Sequence, residues 1–170
     1  MLKDAKEPRA KALADRAAGE LALMYARLGL AEKLQTHLAS LEGRTIVGSA
    51  TEQIAGARQG LWTMRHVPGI AFRCGPLALD RIRANADPNL AGHQYIQGAH
   101  STTNGFSLSQ LQQLSRDLGM AYVMAFREPG APVILRAVVH WKVGHFAALL
   151  RQDGKQYLVQ DPTFGSRNDI

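Results

Sequence analysis

Only one cysteine, Cys74, occurs in the 170 residues, which excludes an intramolecular disulfide and frees the fold from any need for an oxidising compartment. No run approaches the ~20 apolar residues of a membrane-spanning helix. The opening MLKDAKEPRAK lacks the apolar centre of a secretory signal. Basic residues outnumber acidic ones by 20 to 14, yet no Lys/Arg run and no interleaving of basic with aromatic residues is present. That pattern describes a mildly basic surface and no nucleic-acid partner. These absences fit a cytoplasmic protein, or a module carried by a larger bacterial one. The ending DPTFGSRNDI, close behind a strand-like run, points to the module. What is present, 46% apolar and 20% charged residues, suits a chain that buries a core.

The apolar period is 3.6 in the first part of the chain and 2 in the last. Residues 9–30 read as a helix with Leu21, Met24, Tyr25 and Leu28 on one buried face, and Leu34, Leu38 and Leu41 mark a second helix ending at Gly43. This hairpin, residues 1–48, resembles half of a tetratricopeptide repeat and is set apart from residues 49–170. SATE, residues 49–52, has the form of a capping box for a third helix through Ile54, Ala57, Leu61 and Met64. HVPG, residues 66–69, ends that helix and leads an extended segment to Cys74. Residues 87–106 read as loop, and Ser107 with Gln110 caps a helix that stops at Gly119. MAYVMAF, PVILRAVVHW, HFAALLR and KQYLVQ then read as strands of an antiparallel sheet. The whole is α+β.

FRCGPLAL, residues 72–79, places Cys74 where a helix should begin. Proline is favoured at the first position of a helix, so Pro76 predicts one over residues 75–86 with Cys74 as its cap. There the helix dipole and unpaired amides favour thiolate over thiol, and the same amides face an oxyanion formed on an attacked carbonyl. A buried cysteine can also simply pack. A nucleophile needs a base, and the base needs an orienting group. His145 opens one strand and Asp161 ends the next. With a two-residue Asp153-Gly154 loop, residue 145 faces 162; with a three-residue Gln152-Asp153-Gly154 loop, it faces 161. A Cys-His-Asp triad therefore requires the longer loop. His140 ranks second as base, having no carboxylate at a matching rung. Zinc at Cys74, His93 and His100 lacks paired-ligand spacing, so neither metal nor cofactor is expected.

The blocks CGPLAL, GFSLSQLQQLSRDLGM, HWKVGHFAALL and YLVQDPTFG resemble, in order, the signatures of bacteriocin-processing peptidases, papain-like cysteine peptidases that cleave leader peptides after a double glycine. The resemblance spans about residues 66–166. It implies a papain-like fold, a peptide or protein substrate, and Cys74, His145 and Asp161 as the triad. Family members carry a glutamine several residues before the cysteine, whose amide helps hold the oxyanion. Residues 64–73, MRHVPGIAFR, contain none, and His66 is the candidate replacement. Two other readings share these residues: a transglutaminase-like acyltransferase, and a peptidase-like domain that binds a leader or partner peptide without cleaving it.

Overall fold

The computed structural model describes residues 7–161 together with the backbone of strand residues 168 and 169. The chain divides into two compact units, Met1–Val67 and Pro68–Ile170. Pro162–Gly165, the remainder of the DPTFG block, lies outside the described residues.

Three helices build the first unit: α1 (Pro8–Arg27), α2 (Ala31–Ala39) and α3 (Ala50–His66). Pro8 pre-sets the first turn of α1, the Glu7 carboxylate accepts from the Ala10 amide at 3.1 Å, and Gly29 turns the chain out at φ 69°. The buried face of α1 differs from the expected one. Ala14, Ala18, Gly19 and Ala22 are covered, while Met24 is exposed and Leu21, Tyr25 and Leu28 are only half-buried. Small residues prevail because α3 comes so close: a Cβ on Gly19 would sit 3.0 Å from the Ala50 Cα. The SATE capping box does not form. Ser49 is already in the right-handed helical region after Gly48 at φ 70°, so its hydroxyl does not reach back to an amide of the first turn. Asp15, fully buried, is held instead by Lys11 Nζ at 2.7 Å, by Arg44 and by the Val47 amide at 3.3 Å.

The second unit begins with α4 (Pro68–Ala71), a single helical turn where an extended segment was expected. Then come α5 (Cys74–Ala86), a 3₁₀ turn at Pro88–Leu90, α6 (Gln94–Gln97) and α7 (Leu108–Asp117). Around α7 the sequence is obeyed closely: Ser107 and Gln110 form the reciprocal capping box, and Gly119 ends the helix at φ 71°. Four antiparallel strands follow in spatial order β1 (Ala137–Trp141), β2 (His145–Asp153), β3 (Gln156–Gln160) and β4 (Asn168–Asp169). All of His145–Leu150 is buried, because β2 is covered on both faces. Ala148, Leu150 and Leu158 pack with Ala78 and Ile82 of α5, and Ala147, Leu149 and Val159 pack with Val133, Val139 and Tyr157.

MAYVMAF is not a strand, and of PVILRAVVHW only Ala137–Trp141 is. Positive φ at Ala121 (50°) and Arg136 (54°) interrupts the backbone at both ends of this arm. Side chains join its two halves: the Tyr122 hydroxyl donates to the Arg136 carbonyl, and Arg127 Nε donates to the Ala131 carbonyl. Met120 and Tyr122 still reach the core, while Val123 (77% exposed), Met124, Phe126 (85%), Ile134 and Leu135 remain outside.

The β2–β3 hairpin corrects the turn inferred from sequence. Asp153 pairs with Gln156, so the loop is Gly154-Lys155, two residues and not three. Gly154, at φ 59°, takes the first central position, where a type II′ turn demands glycine. The three-residue loop occurs one hairpin earlier, as Lys142-Val143-Gly144 between Trp141 and His145, with Gly144 at φ 79°. Between Leu149↔Val159 and Arg151↔Leu158 the register shifts by one residue, a β-bulge at Leu150-Arg151.

Candidate active site

The bulge decides where Asp161 points. Above it the ladder runs Leu149↔Val159 and Ala148↔Gln160, so the next rung sets Ala147 against Asp161. His145 lies two residues from Ala147 on the same face, a diagonal neighbour of Asp161. Without the bulge Ala148 would oppose Asp161, and the carboxylate would project from the other face. His145 Nε2 and Asp161 Oδ2 are in fact 2.7 Å apart, both groups buried. The same-face condition read from the sequence is met by a two-residue turn plus a bulge.

Cys74 is the first residue of α5 and Pro76 the third, so Arg73 and not Cys74 holds the cap position. Its side chain packs against the cluster that contains Phe146, close enough to His145 for the imidazole to act on the thiol. Since Nε2 is committed to Asp161, Nδ1 is the ring nitrogen left for the sulfur. Burial pushes the Cys74 thiol up, but the bond from His145, the Phe146 amide and the imidazole charge together hold it below its ordinary value. For His145, burial works against the cation, yet the bonds to Asp161 and Cys74 and their negative charges raise it from 6.5 to about 9. The two shifts run in the sense that favours a thiolate beside an imidazolium.

The other histidines have local partners of their own. His140, directly across the ladder from Phe146, stacks on its ring at 4.3 Å and is exposed. His66 belongs to the first unit, in the last turn of α3, where its ring stacks on Trp62 and Nδ1 is 2.9 Å from the Trp62 carbonyl. His93 caps α6. Among the described residues no three His, Cys, Asp or Glu side chains are grouped to hold a metal ion, and no helix is long and apolar enough to cross a membrane. Two contributors were not read from the sequence: the Phe146 amide and Leu111, whose methyls cover Gly75. The Leu periodicity of α7 marked Leu111 only as core.

A thiol held below its ordinary pKa at a helix start, beside a buried His-Asp pair, is chemistry suited to a cysteine hydrolase. The chain belongs to the peptidase C39 family, the bacteriocin-processing papain-like cysteine peptidases, whose family model matches residues 72–168. It is a cysteine peptidase, a hydrolase acting on peptide bonds. No curated protein and no solved structure gives a significant match to the chain.

Proposed function

We propose that Cys74, His145 and Asp161 are the catalytic triad of a papain-like domain that cleaves a peptide after a double glycine, in a leader or in its own parent polypeptide. The observation that carries this reading is the buried His145–Asp161 pair, Nε2 to Oδ2 at 2.7 Å, with Cys74 near enough to His145 for its thiol to be held below the ordinary value. The thiolate attacks the scissile carbonyl, and the amides of the first turn of α5 stabilise the oxyanion that develops. The His145 imidazolium gives its proton to the leaving amine as the tetrahedral adduct collapses to a thioester. His145, now neutral, takes a proton from water as that water attacks the thioester, and releasing the acid restores the thiolate and imidazolium. Asp161 keeps the ring oriented and stabilises its charge throughout.

Peptides bearing an internal Gly-Gly, incubated with the protein and followed by mass spectrometry, test the reading directly. Cleavage after the second glycine, absent in Cys74→Ala, is the expected result. Incorporation of a labelled primary amine at the new carboxyl end, without hydrolysis, would assign acyl transfer instead. Binding without turnover would leave only a peptide-binding domain.

A further inference from the structure

Leu111 lies on α7, remote in sequence from all three triad residues, yet its side chain straddles the residue next to the nucleophile. A Cβ built on Gly75 would lie 2.7 and 2.8 Å from the two Leu111 methyls and 3.2 Å from its Cγ. The isopropyl fork therefore rests on the bare Cα of Gly75, closer than any side chain there would allow. Leu111 has little freedom to move, since it is buried in one apolar cluster with Leu79, Ile96, Leu114 and Phe146, and Cys74 packs against that cluster.

Two members of this arrangement adjoin the reacting pair. Gly75 follows Cys74 in the nucleophile helix, and Phe146 follows His145 on β2 in the cluster against which Cys74 packs. Leu111 touches the first and shares a cluster with the second. We propose that Leu111 is a positioning residue for the nucleophile: its fork, set against Gly75, fixes the height and rotation of the first turn of α5 relative to β2, and so the Cys74–His145 distance. This rests on the reading of Cys74 as nucleophile. It also assigns the glycine of CGP a role in close approach, since the described positive-φ glycines do not include Gly75.

The test needs no substrate. Iodoacetamide alkylation of Cys74 against pH reports the thiolate, and thermal unfolding reports the fold. Gly75→Ala should force the helix turn away from Leu111. A displacement of ~1 Å at a reacting group costs about 10²-fold, so alkylation at pH 7 should slow by at least 10-fold and its midpoint should rise. Gly75→Ala/Leu111→Ala relieves the clash but lacks the fork, so its midpoint should be no higher than that of Leu111→Ala alone, a coupling that two independent defects would not produce. Leu111→Met keeps the volume but loses the fork. It should fold, unfold near the wild-type temperature, and still show a raised midpoint, so the idea stays exposed if Gly75→Ala fails to fold. Wild-type midpoints in the folded Gly75→Ala and Leu111→Met proteins would overturn the role of Leu111. A wild-type midpoint at the ordinary thiol value would instead overturn the nucleophile itself.

Discussion

Deleting Arg151 should leave the site working, although it shortens the very hairpin that joins His145 to Asp161. Counting from the turn, Asp153, Gln152 and Arg151 face Gln156, Tyr157 and Leu158, and the bulge then carries the ladder to Leu149↔Val159. Without Arg151, Leu150 takes the rung opposite Leu158, where it already packs. Every rung above it is unchanged, Ala147 still opposes Asp161, and the His145–Asp161 contact survives. Arg151 is exposed, so the stability change should be within about 1 kcal/mol. Alkylation and peptide turnover should stay within about 3-fold of wild type. Inserting one alanine between Val159 and Gln160 makes the opposite change: it advances Asp161 by one and turns it to the far face. Loss of a correctly placed orienting carboxylate costs about 10⁴-fold in kcat in a triad of this kind. A deletion variant that folds but is as slow as Asp161→Ala would refute the reasoning, since it would mean that the local twist of the bulge, and not the register, aims the carboxylate.

Other outcomes can be measured independently. Turnover against pH should be bell-shaped, rising as Cys74 ionises below its ordinary range and falling near 9 as His145 loses its proton; in Asp161→Asn the alkaline limb should move down by about 1–3 units. The raised His145 value contributes stability that is complete below 6.5 and lost as pH rises through about 9, so in Cys74→Ala, which lacks one bond that raises it, unfolding temperature should begin to fall at lower pH. Gly154→Val forces a β-branched residue to φ 59° and should lower both stability and turnover, read by unfolding and by the peptide assay. In the first unit, Asp15→Ala strands Arg44 beside a covered site and should cost about 3 kcal/mol, seen as an earlier thermal transition, without shifting the Cys74 alkylation midpoint.

The helices were legible because a 3.6-residue apolar period and a reciprocal cap such as Ser107/Gln110 are local signals. The proposed triad rests on chemistry: a cysteine at a helix start, with a histidine and an aspartate on successive strands, and the structure brings His145 and Asp161 within hydrogen-bond distance. Other features were not legible. Ser49 fails as a cap because the backbone beyond Gly48 is already helical, which residue type does not reveal. The hairpin turn fell elsewhere because Gly154 serves a two-residue loop as well as a longer one, and the bulge that repairs the face leaves no mark in composition. MAYVMAF has the residues of a strand, but strand propensity speaks of a surface to pack on, and here only Met120 and Tyr122 find one.

That unpaired arm bears on how the protein behaves as a colloid. Val123, Met124, Phe126, Ile134 and Leu135 offer neighbouring molecules an apolar, strand-prone surface, and a net charge of +6 opposes association through it. Charge repulsion of that kind reaches about 10 Å at 0.1 M salt and only about 3 Å at 1 M. Sulfate or phosphate would at the same time strengthen the drive to cover apolar surface. Concentrated stocks should therefore stay clear in dilute buffer and scatter light as such salts are added, and Phe126→Lys should move that clouding point to higher salt.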